Sequence, residues 1–223
     1  MTDYKLENMD TEDVEDLLIK IEKSFDIKFE DTELIHITTF GELCDHITSK
    51  IQLDNSDSCT TQQAFYKLRN AILATHNTNN KAITTDFPLN EILPRQNRRK
   101  KTAELENHLG FQLHILHPPH WITNALLILL LASFVGLFFK WHYGLLGLVF
   151  SIGGLWLANK IGNELNVKTV GQLAKKITRE NYLKSRRNQK TFNKIEIEKV
   201  LTDWFSNDLG IDKNKLTREA KFV

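Results

Sequence analysis

The sequence predicts a mostly α-helical membrane protein, with a transmembrane helical hairpin flanked by small helical segments. Three observations carry this prediction. Residues 122–139 contain no charge, and twelve of them are Leu, Ile, Phe or Val. A second apolar run, Tyr143–Ala158, follows after Lys140-Trp141-His142. On both sides, apolar residues recur at the three- and four-residue spacing of amphipathic helices. The charge layout agrees: residues 1–60 hold 16 acidic and 5 basic side chains, whereas residues 161–223 hold 8 acidic and 14 basic. The segments divide as 1–53, 54–120, 121–160 and 161–223.

The acidic head comes first. Val14, Leu17, Leu18, Ile21 and Phe25 form one helical stripe, and Asp10, Glu12, Asp13, Glu15 and Asp16 load its first turns with negative charge, which suits the helix dipole. Thr39-Phe40-Gly41-Glu42 reads as a capping box that opens a second helix with Phe40, Leu43, Cys44, Ile47 and Ile51 on one face. Met1–Asp10 lacks the basic and apolar regions of a signal peptide. Cys44 and Cys59, the two cysteines of the chain, therefore fit a reducing compartment as small buried apolar residues.

The run from Met9-Asp10-Thr11-Glu12-Asp13 through Leu17-Leu18, Phe25-Asp26-Ile27 and Ile37-Thr38-Thr39-Phe40-Gly41-Glu42-Leu43 resembles the second and fourth helices of an acyl carrier protein. In that family the second helix opens Asp-Ser-Leu, and the serine bears phosphopantetheine. The matching stretch here is Asp10-Thr11-Glu12, with Thr11 near the attachment position and Ser24 the first serine. The resemblance is thus to a degenerate, bacterial-type carrier-like membrane protein without the attachment serine, and no cofactor is expected. The family's acidic second helix is a surface that basic patches on partner enzymes recognise. By resemblance, Asp10, Glu12, Asp13, Glu15 and Asp16 are the partner-binding candidates, for a protein with a basic surface.

Thr60–Thr75 reads as an amphipathic helix with Ala64, Phe65, Leu68, Ala71 and Ile72 inward and Asp57 and Ser58 as caps. Arg98–Leu109 reads as another helix. Its cluster Arg98, Arg99, Lys100 and Lys101 suits anionic lipid at a membrane surface better than nucleic-acid phosphates, because no clear helix-turn-helix accompanies it. His114-x-x-His117-x-x-His120 has the look of a metal string. Pro118 and Pro119 break any helix that would align the rings, so no metal site is expected.

The first apolar run spans about 27 Å at 1.5 Å per residue, close to a hydrocarbon core. Its large aliphatic and aromatic residues favour insertion by roughly 4 to 7 kcal/mol. The second run is weaker and contains Gly144, Gly147, Gly153 and Gly154. Small residues let helices approach closely in lipid, so Gly147-x3-Ser151 is predicted to face Ala132-x3-Gly136. Basic residues on both flanks place both termini on the cytoplasmic side of an integral membrane, the inner membrane if the cell is bacterial.

In the basic tail, Thr169-Val170-Gly171-Gln172-Leu173 repeats the grammar of Thr39-Phe40-Gly41-Glu42-Leu43. Further on, Ile195, Ile197, Val200, Leu201, Trp204, Phe205 and Leu209 form a broad apolar face. That stretch, with Gly210-Ile211-Asp212, Leu216-Thr217 and the last residues to Val223, resembles the carrier family's first helix and long loop. The front of a carrier fold thus follows the back of one, as in a split and permuted four-helix domain completed within one chain or, as a homo-oligomer, between neighbours. The expected function is a non-enzymatic membrane scaffold or adaptor, since no catalytic constellation is present. An accessory carrier or lipid-handling protein whose phosphopantetheine site sits on another subunit comes second, and a membrane-tethered nucleic-acid regulator third.

Overall fold

Amphipathic periodicity and capping produce ten helices among the described residues of the computed structural model, which are 5–6, 11–30, 32–75 and 82–222. They are α1 (Thr11–Phe25), α2 (Phe40–Lys50), α3 (Thr60–Thr75), α4 (Leu89–Ile92), α5 (Arg98–Leu109), α6 (His120–Phe139), α7 (Trp141–Ile161), α8 (Val170–Glu180), α9 (Tyr182–Ser185) and α10 (Lys194–Asp208). Among the described residues, strands are confined to two-residue pairs. The predicted mostly α class holds. Contacts divide the chain into two compact units, one of Met1–Ala71, Ile83–Thr85 and Gly171–Val223, the other of Ile72–Ala82 and Asp86–Val170.

In the first unit, residues from both ends of the sequence share one core. α1 contributes Leu17, Ile21 and Phe25; α2 contributes Phe40, Leu43, Cys44 and Ile47; α10 contributes Ile197, Leu201, Trp204 and Phe205. Burying such side chains contributes about 1.5–3 kcal/mol each, which neither pair of short helices could gain alone. The Phe40 and Phe205 rings meet edge to face at 5.2 Å. Ile195, expected on the apolar face of α10, is instead exposed. It sits in the first turn, on the flank away from Ile197 and Leu201, so burial skips it.

The start of α2 shows how the tail is held. Thr39 and Glu42 make the reciprocal capping box that the sequence predicts. Two further first-turn amides, Phe40 N and Gly41 N, donate to Ala220 O at 2.8 Å and Arg218 O at 2.9 Å. A Cβ on Gly41 would stand 2.7 Å from the Arg218 carbonyl oxygen, so this close approach requires glycine.

α3 is capped differently from expectation. The Thr60 amide is taken by both carboxylate oxygens of Glu196, each at 3.0 Å, rather than by Asp57 or Ser58. Beside it the buried Arg186 donates to Ser56 O, Ser58 O, Ser58 Oγ, Thr60 Oγ1 and Thr191 Oγ1. These acceptors are neutral, so Arg186 acts as a hydrogen-bonded staple between the segments before α3 and α10. Parallel pairing of Asp54–Asn55 with Thr191–Phe192 runs along the same seam.

In the second unit, α6 and α7 lie antiparallel along a seam of small residues. At about 1.5 Å per residue each is roughly 30 Å long. The three-residue connection expected from the sequence is shorter: Lys140 alone ends α6 and starts α7, because Trp141 and His142 are helical. Gly144, Gly147, Ser151, Gly154 and Ala158 repeat at alternating three- and four-residue steps, the spacing of a left-handed helix pair. On α6 the facing residues are Leu126, Ser133 and Leu137, and Gly136 comes against Gly144. Ala132, predicted for this seam, is exposed; Ser133 takes its place, one step round the helix. Ser133 Oγ and Ser151 Oγ donate to Leu129 O at 2.6 Å and Gly147 O at 2.8 Å, which satisfies both hydroxyls within their own helices.

The segments leading into α6 and out of α7 are zipped together. Leu116 pairs with Leu165 and His117 with Glu164 in an antiparallel ladder, and Asn166 N donates to Ile115 O at 3.0 Å. Gly162 fits here because a Cβ would lie 2.6 Å from the His117 carbonyl carbon.

Candidate functional site

The acidic face of α1 is built by the periodicity that builds its core face. With Leu17, Ile21 and Phe25 turned inward, Glu12, Asp13, Glu15 and Asp16 are exposed, and Asp10 lies outside the described residues. Thr11 begins the helix. Ser24, the first serine, is buried; its hydroxyl donates to Arg179 O at 2.5 Å and accepts from Tyr182 N at 3.0 Å. It joins α1 to the turn after α8 and offers nothing to a prosthetic group. Ser24 is therefore no attachment point for phosphopantetheine, and the side chain of Thr11 lies outside the described residues.

The α1 helix exits through a left-handed turn at Asp26, where φ is 53°. The carboxylate of Glu22 closes the turn by accepting from Phe29 N at 2.6 Å. Near the same loop Glu33 accepts from Lys50 Nζ at 2.5 Å, with His46 Nε2 2.9 Å from its other oxygen. The Lys50 hydrogen bond, helped by the Glu30 amide, holds the Glu33 carboxyl down at about 2. In the core, burial first and the Glu198 charge second push the Cys44 thiol up to about 12. Cys59, also expected to be buried, is exposed, and both thiols are free.

The predicted basic surface divides by its contacts. Arg98 is buried, so it is not part of a lipid-facing cluster: its guanidinium donates to Leu93 O at 2.9 Å and to Asn163 O, with Glu164 at 3.6 Å. Burial of a charge demands such partners, and one carbonyl before α5 and one after α7 supply them. Arg99 and Lys100 are exposed, Arg99 reaching Lys160 O at 3.2 Å. Lys101 is half-buried against Ile92 O at 3.4 Å. Arg95 pairs with Glu164 at 2.7 Å, and Asn163 Nδ2 donates to Arg95 O at 2.8 Å. The first turn of α5 is therefore fixed beside the end of α7.

His117 and His120 have ring centroids 5.0 Å apart, and His117 Nδ1 lies 2.7 Å from Pro118 O. Among the described residues no three His, Cys, Asp or Glu side chains converge as metal ligands. Sequence reasoning missed the Glu22 turn lock, the Arg186 staple and the Glu196 cap, since each joins residues that carry no local motif. No protein-family model, curated protein or solved structure matches this chain.

Proposed function

We propose that this chain is a two-pass membrane-anchored adaptor, non-enzymatic and carrier-like, that docks a partner with a basic surface on the acidic face of α1. The observation that carries the docking half is the exposure of Glu12, Asp13, Glu15 and Asp16 on one helix whose other face is core. The membrane half is supported by length and composition, since α6 and α7 are both long and apolar enough to cross a bilayer. Exposed Ile128, Leu131, Phe134, Val135 and Phe138 form a surface suited to acyl chains. The ladder at Leu116–His117 and Glu164–Leu165 supports a hairpin whose two ends lie on one side, and the basic residues beside it favour the cytoplasmic side. The carrier reading draws on the core shared by α1, α2 and α10, with helices in the order a permuted carrier domain would need.

The test is capture from detergent extract with the full chain and with the quadruple variant E12K/D13K/E15K/D16K. A partner that binds the native chain, dissociates in salt and is lost with the variant supports docking through α1. A partner set unchanged by charge reversal overturns it.

A further inference from the structure

We infer that the chain is an internal duplication: α1, α2 and α3 with residues 83–89 form one copy of a repeat, and α5, α8 and α10 with residues 216–222 form the second. The closing segment of each copy lies across the capped helix of the other. Three sets of matched contacts, from three different parts of the chain, carry this inference.

The first set is at α2 and α8. Phe40 N and Gly41 N donate to Ala220 O and Arg218 O; Val170 N and Gly171 N donate to Phe87 O and Thr85 O at 3.0 and 2.7 Å. Phe222 N donates to Thr38 O at 2.9 Å, and Leu89 N to Lys168 O at 2.8 Å. The bridge Thr39–Lys221 has its counterpart in Thr169–Pro88. Gly171, like Gly41, is blocked by a crossing carbonyl, with Thr85 O 2.8 Å from a Cβ. Inside the helices Thr48 Oγ1 donates to Cys44 O and Thr178 Oγ1 to Ala174 O, at 2.6 and 2.9 Å. A capping-box convergence would account for the helix starts, but not for the same two-residue step in a crossing strand.

The second set is at the exits of α1 and α5. Glu106 Oε1 accepts from Leu113 N at 2.7 Å, as Glu22 Oε1 accepts from Phe29 N at 2.6 Å. Between them Gly110 has φ 79° where Asp26 has φ 53°. Leu105 and Leu109 are buried at the positions of Ile21 and Phe25. The third set is the spacing of α3 and α10: Ala64, Leu68, Ala71, Ile72 and Ile83 are buried at the same intervals as Ile197, Leu201, Trp204, Phe205 and Leu216.

Two consequences follow. Through α3, residues 83–89 and α5 the chain runs unbroken, whereas the matching passage from α10 and residues 216–222 to α1 joins opposite ends of the sequence. The apolar pair α6–α7 is an insertion between α5 and α8, at the place where the first copy has the stretch from Ile27 to Thr38. The matched helices also carry opposite charge: Glu15 and Asp16 of α1 stand where α5 has Arg99 and Lys100.

The test joins the two ends of the folded, purified full chain, Val223 to Met1, by enzymatic ligation. A specific protease site inserted between Leu93 and Pro94 then opens the ring. If the passage from α10 to α1 is the counterpart of the unbroken passage from α3 to α5, both the ring and the opened ring keep Cys44 unreactive toward a maleimide and melt within a few degrees of the native chain. Because both forms are made from protein already folded and inserted, a failure of membrane insertion does not enter. A ring that melts well below the native chain, or an opened ring in which Cys44 reacts as fast as Cys59, overturns the inference. Neither outcome bears on partner capture through α1, which is read separately.

Discussion

The hydroxyl of Ser133 occupies the space that a Cβ at Gly147 would need, and Ser133 Cβ stands 2.8 Å from the same point. One residue on α6 thus dictates glycine on α7. Leu137 does the same to Gly144 through its backbone nitrogen, 2.5 Å from a Cβ there. The difference is that a backbone cannot be mutated away, whereas Ser133 can.

Gly147→Ala should therefore destabilise the α6–α7 pair by about 1–3 kcal/mol, the usual range for overpacking, and Gly147→Leu by more. Ser133→Gly combined with Gly147→Ala should recover over half of the loss, a coupling that thermal unfolding in detergent can measure as a double-mutant cycle. Additive losses in that cycle would mean that the two residues do not meet.

Cys44 reports on the core formed by the two ends of the sequence. At pH 8, a maleimide should label Cys59 in the native chain and leave Cys44 untouched, so Cys59→Ser should abolish native labelling. Removal of residues 195–223, which takes away Ile197, Leu201, Trp204 and Phe205, should make Cys44 as reactive as an unfolded thiol. The pH dependence has a definite sign. The folded pKa, about 12, lies above the ordinary 9.0, so this contribution to stability is full below pH 9 and fades as pH rises toward 12. Protection of Cys44 in the truncated chain would contradict the shared core.

Glu33 gives the opposite slope. Its folded pKa of about 2 lies below the ordinary 4.5, so its contribution is present above pH 4.5 and is lost as pH falls toward 2. Lys50→Met removes the first cause of that shift and should move the acid unfolding transition to higher pH. An acid transition identical in the variant would show that the Lys50–Glu33 pair does not matter to stability.

Much of this was legible because it is periodic or local. The stripe of α1, the Thr39–Glu42 capping box and the two apolar spans depend on residues within a turn or two of one another. What escaped depends on distant chain. Four consecutive cations at Arg98–Lys101 read as a cluster for anionic lipid at a membrane surface. Burial of Arg98 instead depends on the distant carbonyl of Asn163 and carboxylate of Glu164, beside the nearby carbonyl of Leu93. Ala132 and Ser133 are adjacent small residues, and local pattern does not choose which of them faces Gly147. The cap on Thr60 comes from Glu196, which no local rule would nominate.

Arg99 and Lys100 should bind anionic headgroups, because α5 is fastened beside the end of an apolar helix and these two side chains are exposed. Each such cation contributes about 1 kcal/mol near an anionic surface, so Arg99→Gln with Lys100→Gln should weaken retention of anionic lipid by roughly 30-fold. Retention measured by mass spectrometry of the purified protein should fall for phosphatidylglycerol and stay constant for phosphatidylcholine. Arg98→Gln is the contrasting case: it should lower the melting temperature, since it leaves buried carbonyls without their donor.

The four tryptophans fall into two groups by exposure. Trp121, Trp141 and Trp156 are exposed on α6 and α7, near the helix ends, where amphipathic rings favour headgroups; Trp204 is 2% exposed within the α1–α2–α10 core. Single-tryptophan variants in vesicles should therefore fall into two classes. Brominated lipids should quench Trp121, Trp141 and Trp156, more strongly with bromine near the headgroup than near the chain ends, and should leave Trp204 unaffected. Deep bromines quenching Trp141 best would place the turn within the bilayer rather than beyond it, and the second helix would then be re-entrant rather than spanning. Equal quenching of Trp204 would mean that the core formed by the two ends of the chain itself lies against lipid.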